Sequence, residues 1–213
     1  MNVKIIFLPL IVFFILVISA SAFSQPVDLK VEYYDFIYAY SGDYVNIVGK
    51  LSNTGNVNYK DVSITVKFFD ENNKIISREE ILVPYILSKE NRYFKKMTSR
   101  NTGIEHSKIE IISFSILSEK KCNEKISVLE NRKYKYKTKF REYLAIEGTL
   151  INDSYLLLQN IRIDVIFLDK QNNIIDLNSN IVKNLSPGES GEFIVSSPYI
   201  NKIHRWLFQV ICI

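Results

Sequence analysis

Apolar and polar residues alternate with a period of two through most of the chain, as in Val62-Ser63-Ile64-Thr65-Val66-Lys67-Phe68 and Ile161-Arg162-Ile163-Asp164-Val165-Ile166-Phe167. In the first of these one face is apolar and the other polar, which predicts a half-buried β-strand. No segment after the N-terminus carries a capped 3.6-residue stripe. Turn signals separate the runs: Asn53-Thr54-Gly55-Asn56, Asp70-Glu71-Asn72-Asn73, Asn152-Asp153-Ser154, Asp169-Lys170-Gln171-Asn172-Asn173 and Ser186-Pro187-Gly188-Glu189. Six or seven short strands per half, joined by such turns, predict a β-sandwich.

The two halves are copies. Residues 44–76 and 143–175 match without a gap, with Gly49 and Gly148, Leu51 and Leu150, Asn53 and Asn152, and Asp70 and Asp169 in register. A constant offset of about 99 positions is the mark of a duplicated unit. Asn73 and Asn172 fall where a tight turn needs positive φ, and Asp70 and Asp169 are placed to accept backbone amides of that turn. Deleting one residue before Tyr44 also aligns Tyr34, Phe36, Tyr38 and Tyr40 with Tyr134, Tyr136, Thr138 and Phe140, which predicts an aromatic row on the core face of the first strand in each copy.

Residues 5–18 form an apolar run interrupted only by Pro9, preceded by Lys4 and followed by Ser19-Ala20-Ser21-Ala22. This arrangement predicts a secretory signal peptide over residues 1–22, cleaved after Ala22; the alternative is a retained membrane anchor. The expected organisation is therefore all-β, with two tandem β-sandwich modules, 23–118 and 119–213, behind the signal, in a secreted or envelope location. Membrane contact is expected only if the N-terminal segment is uncleaved.

The phrases Val66-Lys67-Phe68-Phe69-Asp70 and Val165-Ile166-Phe167-Leu168-Asp169, with Gly49 and Asn53 or Gly148 and Asn152 before them and Leu185-Ser186-Pro187-Gly188-Glu189 and Phe193 after the second, resemble the FxLYD-type domains of archaeal and bacterial exported proteins. Phe69 and Leu168 stand where the family motif has tyrosine. The first copy reads Leu87-Ser88-Lys89-Glu90-Asn91 where the motif has Pro-Gly, so its later strands are open to a different connection. The resemblance implies an immunoglobulin-like sandwich and export. It implies no catalytic residue.

The net charge of +4 is a solubility property before it is evidence for nucleic acid, and no nucleic-acid partner is expected. Positive charge concentrates at Arg132, Lys133, Lys135, Lys137, Lys139 and Arg141, five of which would share one face of a regular strand. Such a strand can serve as a solvated, aggregation-resistant edge, or it can bind a polyanion or glycan through Lys133, Lys135, Lys137, Lys139 and Arg141. Cys122 and Cys212, the two cysteines of the chain, are the candidates for a disulfide in an oxidising compartment. Asn152 and Asn184 head glycosylation sequons.

No His-Glu-x-x-His, phosphate loop or nucleophilic triad occurs in the sequence, and the two histidines, His106 and His204, lack the partners of a zinc site. The sequence therefore predicts no enzyme, catalytic residue, metal or cofactor. It predicts a binding or structural module whose partner is an envelope protein or glycan.

Overall fold

The computed structural model describes residues 28–38, 43–100, 103–117 and 125–212. The signal-peptide segment and Cys122 lie outside the described residues. Twelve strands follow in order: β1 (Leu29–Tyr38), β2 (Tyr44–Asn53), β3 (Tyr59–Phe69), β4 (Ile75–Ile86), β5 (Asn91–Ser99), β6 (His106–Ile116), β7 (Ile126–Lys137), β8 (Glu142–Asn152), β9 (Leu158–Leu168), β10 (Ile174–Leu185), β11 (Ser190–Ser197) and β12 (Arg205–Cys212). They build four antiparallel sheets, in the orders β1-β2-β5, β4-β3-β6, β11-β8-β7 and β10-β9-β12. The second six strands repeat the connectivity of the first.

Each pair of sheets closes on a core. Ile47 and Leu51 of β2 meet Val62, Ile64, Val66 and Phe68 of β3, while Ile146 and Leu150 of β8 meet Ile161, Ile163, Val165 and Phe167 of β9. These are the alternating positions of the sequence, turned inward as a period of two requires. The duplicated glycines have a packing reason. A Cβ on Gly49 would stand 2.3 Å from the Phe94 ring and 2.8 Å from the Tyr33 carbonyl, and one on Gly148 would stand 2.4 Å from Phe193 and 2.5 Å from the Leu129 carbonyl. A phenylalanine of the neighbouring strand thus lies flat across each glycine.

The turns follow the same duplication. Asp70 Oδ1 accepts from the amides of Asn72 and Lys74, each at 2.9 Å, and Asp169 Oδ1 accepts from Gln171 and Asn173, each at 2.8 Å. Asn73 and Asn172 have φ of 60° and 67°. The departure at Leu87-Ser88-Lys89-Glu90 does not reroute the first copy. Lys89, at φ 60°, stands where Gly188 has φ 76°. Glu90 accepts from Leu87 N at 2.8 Å just as Glu189 accepts from Ser186 N at 2.8 Å. The carboxylate holds this turn, so proline and glycine are dispensable.

The first strands do not align as expected. Phe36 lies opposite Ile47, and Lys133 lies opposite Ile146, the partner of Ile47 in the duplication. Lys133 therefore takes the place of Phe36, and the aromatic rows of the two copies stand on opposite faces. Tyr34, Phe36 and Tyr38 are on the core side in the first, with Phe36 packed against the core. Tyr134 and Tyr136 are on the outer side in the second, opposite Ala145 and Tyr143. A bulge interrupts both strands, between Val31 and Tyr33 and between Glu130 and Arg132, and hydrogen-bond register rather than aromatic content decides the face.

The four sheets stack. Tyr33, Ile37, Val48 and Tyr93 on the outer face of β1-β2-β5 pack against Ile166, Leu168, Leu177 and Leu207 of β10-β9-β12. In the first copy the positions of Ile166 and Leu168 are Lys67 and Phe69, both half-buried. The loss of polar alternation in the second copy is the seam between the two sets of strands.

Candidate functional site

Two arrangements stand out among the described residues: one runs along the seam, and the other belongs to the second set of strands. The seam is polar at its centre. Asp164 is 1 % exposed and accepts from Ser179 Oγ at 2.6 Å, Arg162 Nη2 at 3.2 Å and Gln209 Nε2 at 3.1 Å. Asp176, 3 % exposed, accepts from Lys95 Nζ at 3.0 Å, from its neighbour's amide at 2.9 Å, and from Asn178 Nδ2 and Ser197 Oγ at 2.8 Å each. Each buried carboxylate is thus surrounded by donors, the condition under which burial of charge is tolerated. At one end of the seam Arg92 donates to the Val210 carbonyl at 2.9 Å, and Tyr85 Oη accepts from Cys212 N at 3.2 Å. At the other end the Tyr199 hydroxyl donates to the Tyr38 carbonyl at 3.0 Å. Burial, with the charge of Asp176 behind it, pushes the Tyr199 hydroxyl above its ordinary range and keeps it a donor. A cleft of about 240 Å³ opens here between Tyr93, Lys95, Arg162 and Ser179, but the cations on its wall are held by Asp176 and Asp164.

The second arrangement is the outer face of β7 and β8. Arg132 lies 4.8 Å above the Tyr134 ring, Tyr134 and Tyr136 are 6.2 Å apart, and Tyr136 stacks on Tyr143 at 5.2 Å and 12°. Glu147 pairs with Arg132 at 2.7 Å, and this hydrogen bond raises the guanidinium above its ordinary value. Tyr136 is 37 % exposed and donates to Ser196 Oγ at 3.2 Å. The result is a row of rings that runs from the edge strand β7 onto the central strand β8, with a cation at one end.

The predicted basic strand is shorter than the sequence suggested. β7 ends at Lys137, and residues 138–141 turn the chain, with Thr138 N bonded to the Arg141 carbonyl at 2.7 Å. Lys139 and Arg141 therefore belong to the turn. Lys133 and Lys135 lie opposite the core residues Ile146 and Leu144, on the reverse side of the strand from the tyrosines. Lys133 rests 5.1 Å from the Trp206 ring, and Trp206 Nε1 donates to Glu130 at 2.8 Å. Lys135 and Lys137 are exposed.

The remaining candidates are dispersed. Cys212 is disulfide-bonded, and Cys122 lies outside the described residues. Asn152 is fully buried, and its Nδ2 donates to the carbonyls of Leu156 and Leu185 at 2.8 Å each, the role Asn53 Nδ2 plays for Val57 and Leu87. It serves the turn, which leaves Asn184 as the exposed sequon asparagine. His106 stacks on Phe69 at 4.7 Å, whereas His204 gives its amide to the Leu168 carbonyl at 2.8 Å. Their placements differ by one residue, since Glu105 is the one that bonds Phe69 as His204 bonds Leu168.

Sequence reasoning missed Asp164 with Gln209 and Asp176 with Lys95 as the two polar clusters that make up the network of the seam, and Tyr143 as a member of the ring row. A signal for the network existed in the duplicated frame, where Thr65 becomes Asp164 and Lys67 becomes Ile166. No family model matches the chain, and no curated protein matches it.

Proposed function

We propose that this chain is an exported, non-enzymatic binding or structural module of the cell envelope. In this reading two tandem immunoglobulin-like sandwiches, residues 23–118 and 119–213, follow a signal peptide over residues 1–22, as in the FxLYD-type domains that the motifs resemble. The observation that carries it is the polar seam: Asp176 and Gln209 of the second set bond Lys95 and Tyr93 of the first, and the buried Asp164 accepts from Gln209 behind them. A fixed pair of sandwiches suits a spacer or a presenting scaffold. N-terminal sequencing of the chain exported by a bacterial host tests the first step. A start at Phe23 is the expected result, and retention of residues 1–22 in the membrane fraction replaces cleavage by anchoring.

A second reading, an acidic-glycan receptor, is favoured by the ring row of Arg132, Tyr134, Tyr136 and Tyr143 with Lys135 and Lys137 on the reverse of the same edge strand. Exposed rings offer flat apolar faces to sugars, and the lysines offer charge to carboxylates or sulfates. Retention on immobilised heparin tests it. Changing Lys135, Lys137 and Lys139 to Gln should elute the protein at lower salt, and Tyr134→Ala with Tyr136→Ala should do the same. Retention that none of these changes alters leaves only the scaffold reading.

A further inference from the structure

Lys95 brings an amine of the first set of strands against a carboxamide and a carboxylate of the second. Its Nζ donates to Asn178 Oδ1 at 2.9 Å and to Asp176 Oδ1 at 3.0 Å. Asn178 Nδ2 donates in turn to Asp176 Oδ2 at 2.8 Å and to the Ser196 carbonyl at 2.9 Å. These partners fix which way the amide points, because reversing it would set Nδ2 against the ammonium and Oδ1 against two acceptors. The carboxamide oxygen therefore faces the lysine, and its nitrogen faces the carboxylate.

The duplication does not ask for this cluster. At the matched positions the other copy has Ile194 for Lys95, Ser77 for Asp176 and Glu79 for Asn178. A Lys95–Asp176 ion pair alone would bridge the seam. The carboxamide held against both of its members is the additional element.

The three groups are arranged as a nucleophile, an electrophile and a proton carrier. Nζ rests against the oxygen bonded to Cγ, and its hydrogen bond polarises that carbonyl. Asp176 touches the nucleophile through Oδ1 and the leaving nitrogen through Oδ2, so one carboxylate can take a proton from Lys95 and deliver one to Nδ2. It is 3 % exposed and is held in place by Leu177 N at 2.9 Å and Ser197 Oγ at 2.8 Å. Val48, opposite Lys95, and Leu177 are buried apolar neighbours. A fold that holds the reacting groups together replaces a bimolecular encounter by an intramolecular step. The cleft of about 240 Å³ also borders Asn178 and gives the released nitrogen a way out.

We propose that Lys95 and Asn178 close an isopeptide bond across the seam, with Asp176 as the acid–base group. Lys95 passes one proton to Asp176, the free amine attacks Cγ, and as the Nζ–Cγ bond forms the carbonyl electron pair moves onto Oδ1. Asp176 gives its proton to Nδ2, the Cγ–Nδ2 bond breaks as the carbonyl re-forms, and the nitrogen leaves as ammonia. The second proton lost from Nζ reaches that ammonia through the same carboxylate. The products are a secondary amide, an ammonium ion and the Asp176 carboxylate, and no oxidant, metal or co-reactant is consumed. The proposal rests on the stacking of the two sets of strands in the scaffold reading, which it makes covalent, and it does not depend on export.

The test is mass spectrometry of the purified, fully reduced chain and of its tryptic peptides. The expected intact mass is lower than that of the sequence by one ammonia, and the expected branched peptide joins residues 171–183 through Asn178 to the peptide that contains Lys95. Lys95→Arg and Asn178→Ala should each restore the sequence mass and abolish the branched peptide. A branched peptide formed as completely in Asp176→Asn overturns the role given to the carboxylate. A loss of ammonia that persists in Lys95→Arg reports closure of an asparagine onto its own backbone, and it overturns the cross-link. Unlinked peptides bearing Lys95 and Asn178 overturn it as well. If Gln209→Ala still lowers the urea midpoint of that unlinked chain, the seam and the scaffold reading stand without the bond; if it does not, both fall.

Discussion

Gln209 treats Tyr93 as though it were the next strand of a ladder. Its Oε1 accepts from Tyr93 N at 2.8 Å and its Nε2 donates to the Tyr93 carbonyl at 3.1 Å. β5 is the edge of its sheet, and these are the backbone groups that face away from β2. A side-chain amide thus closes an open edge at the centre of the seam, where exposed ladder groups would otherwise invite pairing with another chain. The residue in the matching place of the first copy is Glu110, opposite Thr65 as Gln209 is opposite Asp164. One sheet face docks against the other set of strands, and its duplicate carries the ion pairs of Glu110 with Lys67 and Lys108 instead.

Gln209→Ala strands the amide and carbonyl of Tyr93 and removes a donor from Asp164. Urea denaturation should show a loss of about 2–3 kcal/mol, because buried backbone groups left unpaired cost more than the bonds themselves contribute. Gln209→Glu should be worse at neutral pH, since it sets a second carboxylate against Asp164, and it should recover as the pH is lowered. Equal stabilities for the Ala and Glu variants across that range would contradict the seam described here.

Most of the scaffold was legible in the sequence, and the seam was not. Alternation located β3 and β9, and the Asp-x-x-Asn turns were readable because their bonds are local, with both partners within four residues. Tyr134 and Tyr136 misled because their face depends on a bulge and on pairing with β8, and a one-residue shift of register inverts a strand. Asp164 and Asp176 were opaque for a different reason. Each reads as a surface carboxylate until Lys95 and Gln209 arrive from elements distant in sequence.

Gly148 was legible as a duplicated position but not as a contact. Gly148→Ala drives a methyl group into both the Phe193 ring and the Leu129 carbonyl, and the second of these is backbone that cannot step aside. A loss of about 3 kcal/mol is expected, at the upper end of overpacking costs. Phe193→Leu in the same chain should recover only part of it, since the carbonyl clash remains. Gly49→Ala should behave in the same way through Phe94 and the Tyr33 carbonyl. A thermal shift no larger than that of a surface Gly→Ala substitution would refute the close approach.

Cys212 closes β12, the last strand, and is disulfide-bonded. With Cys122 the other cysteine of the chain, a bridge between them would close a loop of about 90 residues and stabilise the second set by up to ~4 kcal/mol on the chain-entropy model. Intact mass should show two fewer hydrogens before reduction than after. Dithiothreitol should lower the urea midpoint of the unmodified chain and leave that of a Cys122→Ser, Cys212→Ser variant unchanged. Two thiols titrating with maleimide before reduction would exclude the pairing.

Glu110 offers the clearest dependence on pH. Lys108, at 2.7 Å, and Lys67 hold its carboxyl at about 2, well below an ordinary glutamate near 4.5. Between those two values the unfolded chain binds the proton and the folded chain does not, so stability from this residue is complete above about 4.5 and is lost as the pH falls toward 2. The pairs are partly solvated, and their contribution should be about 1 kcal/mol or less at neutral pH. Glu110→Gln should therefore cost a small, salt-sensitive amount at pH 7. The difference between variant and unmodified chain should shrink toward zero as the pH approaches 2. A gap that stayed constant down to that pH would show that the glutamine disturbs packing on β6 rather than removing a charge.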